Sequence, residues 1–262
     1  MIGRIWMPAL ALGLGLTISG CDEGPSKNAA PVSSSLEPAA KPTEGSAFEV
    51  KSDSSKVTFQ MDAPIEKIFG DVPGSASGEF YVDLHDITKS TGLVKIDLEK
   101  LVVYQQKREK EDAEFGEKVK NDTQNEHVMN WLEIGKDAPE AEKAKNRYIE
   151  FKVKKIEAAG EKDITKLTGA ERKVDLTVTG DFRLHQRTVE KTAKLELTVT
   201  YDGDKPKSLS IKSKEPIPVD MEKHDVRPRE AFGKLAQATF DTLSKKVNKM
   251  PQVSLEFEAT AK

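Results

Sequence analysis

Cys21 and four histidines, His85, His127, His185 and His224, are the residues of this 262-residue chain best suited to nucleophilic, acid–base or metal chemistry. Their spacing supports little of it. No two histidines stand in an HExxH or similar pair, and one cysteine can neither close an internal disulfide nor supply a cysteine-based structural metal site. The 44 Asp and Glu residues lie mostly in mixed-charge runs such as REKEDAEFGEKVK, the pattern of a solvated surface. No nucleophile-elbow sequence is present. A Ser-His-Asp or two-carboxylate site drawn from distant segments stays open at this point, because such groups converge from anywhere in a fold. The formal charge of −3, from 41 Lys and Arg against 44 Asp and Glu, argues against non-specific nucleic-acid binding, which needs a basic surface. The expectation is a protein that is not an enzyme, with no catalytic residue, metal or nucleic-acid partner.

The place of the cysteine says more than its number. Met1 to Arg4 is a short basic start, and Ile5 to Ile18 is an uncharged run of 14 residues, too short for the roughly 20 that span a bilayer as a helix. It reads as the core of a signal peptide covering residues 1–20. Ile18-Ser19-Gly20-Cys21 resembles the lipobox of bacterial lipoproteins, in which cleavage falls directly before a cysteine carrying diacylglycerol. The resemblance implies that Cys21 is the lipidation site and the mature N-terminus. At roughly 0.8 kcal/mol per buried CH₂, several palmitate-length chains on one residue make a lasting anchor. Asp22 resembles the signal that retains lipoproteins at the inner membrane, so the expected location is extracytoplasmic, on the periplasmic face of that membrane.

Residues 21–46 change in composition to Pro, Ala, Ser, Glu and Lys, with Pro25, Pro31, Pro38 and Pro42 spaced through them. No apolar periodicity offsets the entropy of ordering such a segment, which predicts a disordered tether. A flexible chain of about 25 residues spans roughly 25–30 Å.

Residues 47–262 make one domain's worth of chain. Its main signal is period-two alternation. Val57, Phe59 and Met61 share a face, as do Phe80, Val82 and Leu84, then Val94, Ile96 and Leu98, and Ile149, Phe151 and Val153. Val174 to Leu184, Leu195 to Tyr201, LSIK and VSLEFEA extend the series. Strands with one apolar and one wet face belong to an antiparallel barrel or sandwich. Two stretches break the alternation. Gln105 to Ile134 predicts a charged helical insertion ending in an amphipathic turn, and Arg229 to Met250 carries a 3.6-residue apolar stripe that predicts a C-terminal helix before the last strand.

The order of these elements resembles the YceI-like family of lipocalin-like proteins. SKVTFQMDAPIEKIFGDVPGSASGEFYVDL resembles the family's opening, with Gly70, Gly78 and Phe80 at its turn and G-x-F positions. His127 to Leu132 resembles the segment before the central strand, and Arg147-Tyr148-Ile149-Glu150-Phe151 the approach to an aromatic strand residue. VDLTVTGDFRLHQRTVEKTAKLELTV resembles the family hairpin, with Gly180, Leu184 and Thr188 near its marked positions, and Phe232-Gly233 and VSLEFEA resemble its end. The chain departs from the pattern at the charged insertion, at His185-Gln186 in place of a turn glycine, at Arg147 in place of a proline, and in the long helix after Phe232-Gly233.

The resemblance implies a mainly β protein, an antiparallel lipocalin-like barrel, binding a polyisoprenoid or other long-chain apolar ligand. The candidate wall of its interior is Phe59, Phe80, Val82, Val94, Ile96, Ile149, Phe151, Val178, Phe182, Leu195 and Leu197. A barrel of about eight strands either fills such an interior with side chains or admits a small ligand, so a structural or protein-interaction module with a filled core stands as the alternative. Arg147, His127 and Arg183 are candidate donors to a ligand headgroup. Apart from a bound isoprenoid lipid no cofactor is implied, and the sequence carries no signal for an oligomeric state.

Overall fold

The computed structural model describes residues 25–42, 44–227 and 250–262. The chain lays down β1 (Ser46–Ala63), β2 (Glu66–Asp71), β3 (Ala76–Val82), β4 (Thr91–Asp97) and β5 (Val102–Lys107). A short β6 (Val119–Lys120) and two helices, α1 (Asp122–Trp131) and α2 (Glu140–Asn146), precede β7 (Tyr148–Ala159). The long hairpin of β8 (Glu171–Leu184) and β9 (Arg187–Asp202) follows, then β10 (Lys205–Ser213), β11 (Ile217–Pro218) and β12 (Gln252–Ala261). Neighbour to neighbour, β1, β3, β4, β7, β8, β9, β10 and β12 lead back to β1. Among the described residues, eight strands thus close an antiparallel barrel, with β2, β5 and β6 as a side sheet and β11 laid on β12.

Closure depends on the length of β1. Its residues pair with β12 from Phe48 opposite Ala261 to Gln60 opposite Gln252. The same strand pairs with β3 at its start and with β2 at its end. In β7 an irregularity between Val153 and Lys155 shifts the alternation by one residue. That bulge keeps Ile156 buried although it lies three residues after Val153.

The β8–β9 turn explains how this chain does without a turn glycine. His185 and Gln186 both take left-handed backbone, with φ of 47° and 59°, as a two-residue hairpin turn of the primed type demands. The cost of that conformation is offset locally: the His185 ring lies 2.9 Å from Glu133 Oε2 and 3.0 Å from the His224 carbonyl.

The insertion is less helical than its charge pattern predicts. Gln105 to Lys107 complete β5, and α1 covers only Asp122–Trp131, begun by Asn121, whose side chain accepts the Gln124 N–H. The intervening charged residues have no apolar stripe with which to dock a helix. They form a loop pinned at Phe115, whose ring is faced by Lys67 at 4.6 Å and Arg108 at 4.4 Å. The signal peptide, Cys21 and the helix predicted from Arg229, with Phe232-Gly233, lie outside the described residues, apart from Met250.

The tether is the main difference from expectation. Rather than a free chain, residues 25–42 form an extended strap laid across the outer ends of β9, β8, β7 and β4. The Ser26 N–H donates to Asp225 Oδ1 at 2.8 Å and that of Ala30 to the Lys223 carbonyl at 2.8 Å. Val32 bridges to Arg187, and the Ser33 N–H donates to the Gln186 carbonyl at 2.7 Å. The Leu36 N–H donates to Glu150 Oε2 at 2.8 Å, and the Ala40 carbonyl accepts from Thr91 Oγ1 at 2.8 Å. Composition predicts disorder because the segment has little apolar surface to bury. The barrel supplies what composition cannot register: charged and backbone groups that satisfy the strap's own backbone.

Candidate functional site

Alternation turns one side chain in two toward the barrel axis. Phe80, Val82, Val94, Ile96, Ile149, Phe151, Val178, Phe182, Leu195 and Leu197 all line one apolar cavity, with about 140 Å³ of space open to the centre of a water-sized sphere. Phe59 lines a second apolar cavity of about 100 Å³ near α1. Val57, Ile149, Phe182, Val219 and Val253 border both, so the two cavities adjoin within one core.

Aromatic residues stand around this space without filling it. Phe59 and Gly70 are register partners, as are Phe80 and Gly92. A Cβ on Gly70 would fall 2.0 Å from the Phe59 ring, and one on Gly92 would fall 2.3 Å from the Phe80 ring. Each ring therefore lies down on the wall where a larger residue would have forced it upright. Phe80 also stacks on Phe257, with centroids 5.9 Å apart and planes 5° from parallel.

The three basic residues picked out as headgroup donors line neither cavity. Arg183 occupies an outward position of β8 and is buried under the strap, against Glu150 at 3.5 Å. Glu150, 1% exposed, also binds Lys95 at 2.7 Å and the Leu36 N–H. Arg147, at the start of β7, makes a two-pronged contact with Asp97 at 2.6 and 3.0 Å and reaches Glu99 at 3.0 Å. Asp97 raises the Arg147 pKa above its ordinary value; burial pushes Asp97 itself upward, but the bonds from Arg147 and the Glu99 N–H outweigh it and hold that carboxyl low. His127 sits half-exposed on α1, whose Val128 and Trp131, with Leu132 just after it, line the second cavity. Of the three only Arg183 lies within a strand, where its outward phase turns it from the lumen; Arg147 precedes β7 and His127 lies on α1.

One lining residue went unnoticed in the sequence. Lys191 stands on β9 two residues before Ala193 and four before Leu195, in phase with both, and among the described residues is the single charged one lining either cavity. Its phase was available from the alternation, but a lysine breaks the apolar pattern that marks an inward row. Among the described residues no cluster of three or more His, Cys, Asp or Glu could hold a metal, and no helix is long and apolar enough to cross a membrane.

No curated protein matches the chain. Among solved structures it is similar to a polyisoprenoid binding domain from Saccharophagus degradans implicated in plant cell wall breakdown, at 12% identity and a TM-score of 0.47, over 83% of this chain and 99% of that one. It is also similar to BcnA of Burkholderia cenocepacia, at 16% identity and a TM-score of 0.45, over 79% of this chain and 96% of that one. The family model described as YceI-like domain matches residues 48–261, from the third residue of β1 to the last of β12. By that match, which covers most of the chain, the protein belongs to the YceI-like family.

Proposed function

We propose that this protein is an extracytoplasmic lipoprotein that holds a polyisoprenoid or similar long-chain lipid inside its barrel, for storage, transport or sensing. The observation that carries the reading is the apolar core, in which two adjoining cavities share five wall residues. A space lined by aliphatic and aromatic side chains gains by excluding water and taking up hydrocarbon, at about 25 cal/mol for each Å² of apolar surface buried. Phe59, Phe80, Val82, Val94, Ile96, Ile149, Phe151, Val178, Phe182, Leu195 and Leu197 would supply the contacts. Acylation at Cys21 would keep the barrel beside the membrane from which such a lipid comes, and Asp22 favours the periplasmic face of the inner membrane.

Organic extraction of protein purified from its own membrane tests the reading. A long-chain lipid near one equivalent per chain is expected. Extraction that yields none would replace this reading with that of a structural or protein-interaction module whose interior takes no ligand.

A further inference from the structure

The wall of the barrel has a seam beside β9. Pairing of β9 with β10 ends at Leu195 opposite Ser213, with one further bond from the Lys214 N–H to the Lys194 carbonyl. The strap takes up β9 again only at Arg187. Between these points, residues 188–193 pair with β8 on one side and, among the described residues, with no strand on the other. β11 lies across from this stretch but pairs with β12. Among the described residues one hydrogen bond crosses the seam: Lys191 Nζ donates to the Pro218 carbonyl at 2.8 Å.

Lys191 therefore stands at a break in the wall, its stem along the apolar cavity and its ammonium at the lip. An ammonium beside apolar surface is costly unless it is matched by acceptors. One carbonyl satisfies one of its three donors. Among the described residues no carboxylate lies within ion-pair distance of it. Asp220, the acidic group whose field reaches it, already accepts the N–H groups of Glu222 and Lys223 at 3.0 and 3.3 Å. Burial lowers the Lys191 pKa below the usual lysine value, with Lys223 adding to the effect and Asp220 opposing it.

We infer that the seam between β9 and β11 receives the headgroup end of the ligand, and that Lys191 binds it there as a single anionic oxygen group, a carboxylate or a phosphate monoester. The inference rests on the lipid-binding reading and narrows it to amphiphiles with one anionic end. A neutral lipid would leave the ammonium with its one carbonyl and solvent, whereas an anionic oxygen would engage the remaining donors by charge-assisted hydrogen bonds.

The test uses delipidated, otherwise intact mature protein with cis-parinaric acid and its methyl ester as fluorescent probes. Lys191→Met keeps the stem and removes the charge, and Lys191→Arg keeps the charge. The Met variant is expected to weaken acid binding relative to ester binding by about 10- to 100-fold, with the Arg variant staying within a few-fold of wild type; thermal melts establish that each variant folds. Equal effects on acid and ester, or no effect on the acid, would overturn the inference and leave Lys191 as a side chain that merely reaches for solvent. Wild-type protein that binds neither probe would instead remove the lipid-binding reading beneath it. Competition by oleate and by farnesyl phosphate then distinguishes the two anion sources, the tighter competitor naming the headgroup.

Discussion

The ring of Phe80 rests on Gly92, its register partner across β3 and β4, in the place that a Cβ on Gly92 would occupy. Gly92→Ala would lift the ring into the lumen. A stability loss of about 1–3 kcal/mol is expected from this overpacking, with a lower yield of extractable lipid. Urea unfolding and lipid extraction on the same preparations measure both. Adding Phe80→Leu to Gly92→Ala should restore much of the stability, since the smaller side chain clears the new methyl.

Glu150 holds the strap to the barrel through the Leu36 N–H while pairing with both Lys95 and Arg183. Glu150→Ala leaves the buried Arg183 without its carboxylate, and such losses cost about 3–5 kcal/mol. The same change frees the strap at Leu36. Limited proteolysis is expected to cut between Ser33 and Ala40 faster in the variant than in wild type; equal rates would mean that the remaining contacts suffice to hold it.

His224 is fully buried, with Nδ1 donating toward the carbonyls of Arg187 at 3.0 Å and Leu184 at 3.3 Å and its ring edge-on to Phe182. Burial lowers its pKa from 6.5 to about 4, against a smaller opposing effect of those two carbonyls. Between these values the unfolded chain binds the proton and the folded one does not, so stability falls as pH falls. The contribution is complete above about pH 6.5 and is lost on approaching pH 4, a change of about 3 kcal/mol. Denaturation midpoints at pH 7 and pH 4.5 should separate more in wild type than in His224→Gln, which has no imidazole to titrate.

Cys21→Ser would test the anchor apart from the barrel. The expected variant keeps its signal peptide uncut, carries no labelled palmitate and yields the same folded barrel after proteolytic trimming. Metabolic labelling and membrane fractionation check this. Label retained in the variant would place the lipid on another residue.

The sequence made the wall of the cavity legible and left its outer fittings hidden. Strand alternation found eleven wall residues because burial on one face imposes a repeat of two, which a reader can count. Nothing comparable marks Glu150 or Arg183. They read as solvent-facing by phase, and become buried only because a segment more than a hundred residues earlier lies over them. The order of the strap is hidden for the same reason: it comes from hydrogen bonds to partners remote in sequence, not from its own composition. Lys191 lay in a countable row, but its charge argued against the position that its phase assigned.

The strap also bears on how the barrel would stand above a membrane. Ser26, Asn28 and Ala30 are fastened to the loop of residues 222–225. Only three residues separate Cys21 from Pro25, four steps that reach about 14 Å at full stretch. With Cys21 acylated, the protein is less a balloon on a string than a boat on a short mooring. One end, that of the 222–225 loop and the β8–β9 turn, would then keep its bearing toward the bilayer, and a lipid leaving the membrane would meet the barrel from a fixed direction.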